Sequence, residues 1–420
     1  MCLPCAARLA TPPRDPIVCL DRLTNHALHH GIGKTTIVPL PRQVDPTELP
    51  LRLPSEVIIA FASPDHAERR VAGVPAAARV AREVGLAGLT SCRVVASDGW
   101  VPSEQTRAEI GRLAGGLRVA FGAKGRPGAG TDRVLVLDGT MMPNAAQITA
   151  LIGGANLEEI GEIVHAEDAS LTSTKSMQRQ SDAVLLLDSA GRAILRATAK
   201  PGDGIVSRWI NRPISRAISS ALLRIDGIRP LHATFGTTAL ALAMVVALTQ
   251  GTHSGQIWGA LLFQAASIVD GVDGEIARAT FHTSRRGAMI DSVIDAITNL
   301  AFVLGLALNL AMQGEFQSAG VGLAGLCVMA LGLALIGRIS ARRGGPFTFD
   351  VIKDHYRSNS AGPPSRLMRA ATFITSRDFF ALAFVVMIMV GLAGVILELF
   401  AAAALLWLIA VVRAITARPR

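Results

Sequence analysis

The chain has 420 residues, too many for one ordinary domain. Half of them are apolar and the mean hydropathy is +0.41, which excludes a soluble protein of ordinary composition. The formal charge is +9 with only 5% aromatic residues. No basic patch alternates with stacking side chains, so nucleic acid is excluded as the partner. The arginines gather beside apolar runs instead, which points to anionic lipid headgroups and phosphorylated substrates.

Residues 1–50 are rich in proline, lack periodicity and read as an irregular arm. Gly33-Lys34-Thr35 ends like a phosphate-binding loop, but Leu28 stands where that loop needs its first glycine, so the motif is rejected. Cys2 and Cys5 form a CxxC with no second ligand pair at zinc spacing, and all five cysteines read as free thiols of a reducing compartment. No charged segment leads into an apolar core near Met1, so no secretory signal is expected.

Residues 51–200 alternate strand-like and helix-like stretches, the pattern of an α/β sheet. Glu56–Ala62, Arg93–Ala96 and Arg133–Asp138 read as buried strands, and Ala76–Glu83 and Glu104–Leu113 as helices. Arg69–Arg79 (RRVAGVPAAAR) followed by this pattern resembles the sugar-phosphate nucleotidyltransferases. That resemblance implies a glycine-rich loop after the first strand, cradling a nucleoside triphosphate through backbone N–H groups. Here the loop reads Ser63-Pro64-Asp65-His66-Ala67-Glu68, with no glycine, and Asp138 is displaced by two positions from the metal aspartate. The domain therefore reads as degenerate, with a structural or regulatory role.

Residues 201–228 follow as a separate element. Trp209, Ile210, Ile214, Ala217, Ile218, Ala221, Leu222 and Ile225 recur at helical spacing, interleaved with Arg208, Arg212, Arg216 and Arg224. An amphipathic, arginine-bearing helix of low overall hydrophobicity suits the membrane interface.

From residue 229 onward six segments of spanning length are expected: Thr234–Leu248, Ile257–Val272, Gly287–Met312, Ala319–Ile336, Phe379–Leu397 and Leu399–Ile415. Glu398 marks the break between the last two. The short connections at 250–256, at 313–319 and around Glu398 hold no lysine or arginine, whereas the others are rich in arginine. The positive connections share one side with both ends of the chain, and that side should be cytoplasmic.

Aspartates are costly inside spans and mark function by default. Asp270 and Asp273 end one expected span, and Asp291 and Asp295 begin the next. Spacings of three and four put each pair on one helical face. Brought together by a tight connection, four carboxylates repel unless cations are present, and hard oxygen ligands favour Mg²⁺, Mn²⁺ or Ca²⁺ over zinc. Paired divalent ions suit a transferring phosphoryl group. Gly274, Ala277 and Gly287 keep bulk away from such a site, and Arg278 supplies a planar phosphate donor.

Residues 270–295, DGVDGEIARATFHTSRRGAMIDSVID, satisfy D-x2-D-G-x2-A-R-x8-G-x3-D-x3-D at every fixed position. This resembles the signature of the CDP-alcohol phosphotransferase family, and polar capping of two spans does not account for the spacing. The resemblance implies a six-span homodimer that binds a CDP-alcohol at the cytoplasmic surface. It implies metal ligation by Asp270, Asp273 and Asp291, with Asp295 helping to hold a second ion and serving as general base. It implies a nucleotide and diphosphate site lined by Gly274, Ala277, Arg278 and Gly287. Lys200–Ser215 (KPGDGIVSRWINRPIS) and Ser376–Phe379 (SRDF) resemble elements of family members with an N-terminal nucleotidyltransferase-like domain. The family's P-N-x-x-T element reads Pro230-Leu231-His232-Ala233-Thr234 here, so Thr234 is kept for a donor contact while leucine replaces asparagine. Arg338, Arg342 and Arg343 leave the fourth expected span on the active-site side, where an acceptor phosphate would lie; topology and lipid contact are their other reading.

The sequence thus leads to an α/β domain followed by an all-α membrane domain, forming phospholipids or phosphoglycolipids with release of CMP. Two rivals stand beside it: a bifunctional enzyme that also makes the CDP-alcohol from CTP, and a silent membrane scaffold that binds nucleotide or lipid.

Overall fold

A computed structural model describes residue 54 and residues 56–96, 100–122, 133–165, 182–200, 203–342 and 377–416. The expected arm over residues 1–50 lies outside the described residues.

The N-terminal region is built on a five-stranded sheet. In chain order its elements are β1 (Glu56–Ala60), α1 (Pro64–Glu68), the short β2 (Arg70–Val71) and β3 (Val74–Pro75), α2 (Ala76–Leu86), β4 (Ser91–Val95), α3 (Glu104–Leu113) and β5 (Arg118–Phe121). Then follow β6 (Arg133–Asp138), α4 (Ala145–Ile152), β7 (Gly161–His165) and α5 (Ala183–Ala197). The sheet order is β5-β4-β1-β6-β7, parallel except for β7, with Ile58 between Arg93 on β4 and Val136 on β6. The central strands, EVIIA and RVLVLD, are nearly continuous apolar runs because both faces are covered. The edge strands, RVAF and GEIVH, are too short and mixed to announce themselves in sequence. The chain runs outward from β1 through β4 to β5 and then crosses back to β6 on the other side of β1, placing a topological switch point between β1 and β6.

The C-terminal region is helical. A π-helical turn, Ser207–Asn211, leads into α6 (Arg212–Leu222). Then come α7 (Pro230–Leu248), α8 (His253–Ala279), α9 (Arg285–Met312), α10 (Phe316–Arg342), α11 (Arg377–Met389) and α12 (Ala393–Thr416). Pro230 opens α7 at the position where its missing N–H costs nothing. The Thr252 and Ser284 hydroxyls cap α8 and α9 by accepting from the amides of Gly255 and Gly287. Phe263, Phe302 and Phe384 stack inside the bundle, with Phe263 and Phe302 centroids 4.4 Å apart.

Four helices among the described residues are long and apolar enough to cross a membrane: Pro230–Leu248, Arg285–Met312, Phe316–Ile336 and Ala393–Arg413. Two of the six expected spans fall short, for different reasons. Helix α8 is long enough, at about 40 Å for 27 residues. It carries Gln256, Gln264, Ser267, Asp273 and Glu275, all buried against protein. The described part of α11 has 13 residues, about 20 Å, against a hydrocarbon core of about 30 Å. The expected break at Glu398 is corrected. The chain turns at Val390–Leu392, where Gly391 adopts φ +80° and the Leu392 amide donates to the Met387 carbonyl, while Glu398 lies inside α12. A helix continues through one exposed glutamate, but a residue in the left-handed region stops it.

The segment around α6 inverts the usual amphipathic arrangement. Ser207, Asn211, Arg212, Ser215 and Ser219 are buried, whereas Ile205, Trp209 and Ile214 are exposed. The reason is Glu275 on α8, which is fully buried. Its carboxylate accepts from Arg212 Nη1 (3.1 Å), Ser215 Oγ (2.7 Å) and Ser219 Oγ (2.7 Å). Asp203 supplies the second carboxylate for Arg212, at 2.8 Å from Nε. Burial pushes the Asp203 carboxyl up, but its hydrogen bonds and ion pair with Arg212 outweigh this and hold it below its ordinary pKa.

Removing one partner of a buried ion pair leaves the other unpaired and typically costs about 3 kcal/mol or more. Glu275→Ala should lower the detergent-solubilised protein's stability by an amount of that order, read by thermal or denaturant unfolding. An unchanged transition would mean that this network does not hold α6 to α8.

Candidate functional site

A cavity of about 540 Å³ opens where α6, α7, α8, α9 and the start of α11 meet. Helices α8 and α9 supply four of its carboxylates, Asp270, Asp273, Asp291 and Asp295, and Asp203 and Asp378 also line it. The connecting residues reverse the chain within one short loop, with Phe281 at φ +58° and Ser284 starting α9. The two aspartate pairs, remote along the helices' combined length, therefore face one another. Carboxylate oxygens of Asp270, Asp291 and Asp295 all lie within 4.8 Å of each other. Asp273 is 8% exposed, accepts a hydrogen bond from Thr234 Oγ1 (3.1 Å) and stands against Asp291.

Among the described residues, one cationic side chain contacts this cluster directly. Arg377 Nη1 donates to Asp295 Oδ1 and lies 3.3 Å from Asp270 Oδ2. The Arg377 Nε and Nη2 groups are buried with no hydrogen-bond partner among the described residues. A single guanidinium cannot neutralise four carboxylates. The donor set, carboxylate oxygens converging at ligand spacing, fits a hard divalent ion.

The remaining predicted residues separate into two groups. Thr234, Gly274, Ala277, Arg278 and Gly287 line the same cavity as the aspartates. Arg278 Nε donates to the Thr198 carbonyl at 2.9 Å. A Cβ on Gly274 would stand 2.9 Å from Arg278 Nη1, so the glycine leaves the guanidinium its place. Arg338 is exposed near the end of α10 and is not among the residues lining the cavity. Arg342 closes α10, but its side chain, like the whole of Arg343, lies outside the described residues.

Several residues of this region were not singled out by spacing. Arg377 and Asp378 belong to the SRDF element, and Asp203, Asn211 and Arg212 to the Lys200–Ser215 element. The two elements meet across α8: Asn211 Nδ2 donates to Asp378 Oδ1 at 2.8 Å, and Ser267 Oγ reaches the same oxygen at 3.0 Å. Gln264 Nε2 donates to Asn211 Oδ1 at 2.9 Å. The resemblance of both elements to family members is the signal present in the sequence; that they touch is not. His282 also lines the cavity, and burial, with Arg112 nearby, pushes its imidazole below the ordinary histidine pKa.

The family model described as CDP-alcohol phosphatidyltransferase matches residues 229–412. A protein of Aquifex aeolicus, called bifunctional IPC transferase and DIPP synthase, is 38% identical over 116 residues, 28% of this chain and 26% of that protein. A protein of the same description from Rubrobacter xylanophilus is 30% identical over 255 residues, 57% of this chain and 55% of its own length. A phosphatidylinositol phosphate synthase of Mycobacteroides abscessus is 35% identical over 104 residues, 25% of this chain and 46% of that protein. The match to the bifunctional proteins of Aquifex, Thermococcus and Archaeoglobus spans about a quarter of their length.

Arg377 is the internal counter-charge of the cluster. Arg377→Ala should lower stability by about 2 kcal/mol in the absence of divalent ions, the loss expected for a partly buried pair. Millimolar Mn²⁺ should restore most of it in a thermal melt. A deficit that Mn²⁺ leaves untouched would remove the case for a shared cation site.

Proposed function

We propose that this chain, whose residues 229–412 are a CDP-alcohol phosphatidyltransferase domain, moves a phosphoalcohol or phosphatidyl group from a CDP-alcohol to an acceptor hydroxyl and releases CMP. The observation that carries the reading is the convergence of Asp270, Asp291 and Asp295 within 4.8 Å at one cavity, beside Asp273.

In this reading Asp270, Asp273, Asp291 and Asp295 hold two divalent ions, Mg²⁺ or Mn²⁺. When bound, such ions neutralise the donor's diphosphate and stabilise charge on the leaving group. Gly274, Ala277, Arg278, Gly287 and Thr234 accommodate the nucleotide and its phosphates. Asp295 takes the proton from the acceptor hydroxyl as general base. The acceptor oxygen forms its bond to the β-phosphorus, the bond from that phosphorus to the bridging oxygen breaks, and CMP leaves with the electron pair. Arg338 and Arg342 meet the phosphate of a phosphorylated acceptor. The product is a phospholipid or a related phosphoglycolipid.

The membrane arrangement belongs to the same proposal. Helices α7 to α12 form a six-span bundle in the inner membrane, with the cavity and both ends of the chain on the cytoplasmic side, and two copies associate as a homodimer. Residues 201–228 rest on the lipid surface, a reading supported by the outward-facing Ile205, Trp209 and Ile214.

Purified protein should release CMP only with Mg²⁺ or Mn²⁺, and Asp291→Asn and Asp295→Asn should each reduce the rate by about a hundredfold or more. Full activity in both variants would overturn the reading, whereas no CMP release from the unaltered chain would favour a silent scaffold.

A second reading has its own observation. The Rubrobacter alignment covers more of the chain than residues 229–412 comprise, so the likeness to a protein named as bifunctional extends beyond the domain. The α/β region also presents the switch-point crevice where such sheets bind ligands. At that crevice Asp138 Oδ2 and His66 Nδ1 are buried without hydrogen-bond partners among the described residues, although the Phe61 ring packs against Gly139 there. In this reading the region makes the CDP-alcohol from CTP. The full chain carrying Asp295→Asn should then still release pyrophosphate from CTP with a phosphorylated alcohol; no release would leave the region without chemistry of its own.

A further inference from the structure

The loop joining α8 to α9 is gripped from outside the helical bundle. Arg79, on α2, is 4% exposed. Its Nε donates to the Val71 carbonyl (2.6 Å) and its Nη2 to the carbonyls of Ala72 (2.9 Å) and Ala279. Arg112, on α3, donates through Nη2 to the Thr280 carbonyl (2.9 Å) and through Nη1 to the Phe281 carbonyl (3.4 Å). Glu109 holds that guanidinium in place, 2.6 Å from Nη2. The Phe281 ring lies beneath two guanidiniums, 4.0 Å from Arg82 and 5.1 Å from Arg79.

Each contact answers a local need. Ala279 ends α8, and its carbonyl has no intrahelical donor. Cations at a helix C-terminus meet the negative end of its dipole. A phenylalanine at positive φ is an uncommon conformation that surroundings must hold. Burial pushes the Arg79 guanidinium down to about 10, so it stays protonated at neutral pH. The consequence lies one step along the chain. His282, Thr283 and Ser284 line the cavity, and Ser284 caps α9, which carries Asp291 and Asp295.

We propose that the α/β region is a positioning device for the transfer site: Arg79 and Arg112, with Phe281 as the handle, fix the loop that sets the carboxylates of α8 against those of α9. The proposal rests on the transferase reading, and it gives the region a function that needs no chemistry of its own. Neither arginine touches the reacting atoms; both act through residues 279–281.

The test uses the full-length protein, with CMP release and hydrogen–deuterium exchange measured on the same samples. Arg112→Ala should cut kcat by about tenfold or more while KM for the CDP-alcohol stays within about twofold, because a small misplacement of reacting groups is costly. It should speed exchange over residues 280–288 and leave β1 and β6 protected. Arg112→Lys should recover part of kcat, since an ammonium reaches one carbonyl where the guanidinium reaches two. Arg107→Ala, exposed on the same helix, serves as control and should match the unaltered chain. Arg79→Lys extends the test, and loss of protection in β1 would mark it as unfolded and leave the decision to Arg112→Ala. Faster exchange with unchanged kcat would show a mere staple and overturn the proposal, as would unchanged exchange. Absence of CMP release from the unaltered chain sinks the transferase reading first, whereas normal release from Arg112→Ala sinks this inference alone.

Discussion

Mutual repulsion among carboxylates is the constraint that organises this protein. Three aspartates present oxygens within 4.8 Å of one another, and a fourth is buried beside them. At that distance each like-charged pair costs roughly 3 kcal/mol at an effective dielectric of about 20. No fold gathers such groups without a return. Among the described residues, one guanidinium, from Arg377, and one hydroxyl, from Thr234, contact them directly. What they leave uncompensated is the strongest physical reason to read the cavity as a cation and phosphate site.

The other face of α8 shows how the same kind of group behaves when compensated. Glu275 lies five residues from Asp270 and is fully buried, yet every oxygen has a donor. Satisfying it turns the polar side of α6 inward and leaves Ile205, Trp209 and Ile214 facing outward. An exposed apolar face is unfavourable in water and favourable against lipid. A single buried carboxylate thus links the architecture of the site to the exposed apolar face of this segment.

The α/β region enters through the same helix. Its arginines meet the carbonyls where α8 ends, and the loop they hold passes directly into residues lining the cavity. A sheet of doubly wound order with its switch point packed by Phe61 then has a use that does not depend on an open crevice.

The aspartate spacing, the central strands and most of the long helices were legible from sequence because they depend on neighbours three or four residues away, or on runs of apolar side chains. Local periodicity carries that information. The turn at Val390–Leu392 is hard to see in sequence because a charged residue, Glu398, is a more visible marker than a glycine in the left-handed region. Helix α8 is not apolar enough to count as a span by composition because its glutamines and acids are buried against protein, and whether a glutamine faces lipid or protein is a property of the packed bundle. Asp203 to Arg212, Asn211 to Asp378 and Arg112 to the α8–α9 loop join residues between 9 and 169 positions apart. Nothing in local spacing records such pairings. The sequence by itself determined which groups are available and on which face of each helix they stand. Only the tertiary structure decided which charges meet, because buried charges are paired by whatever the whole fold brings beside them.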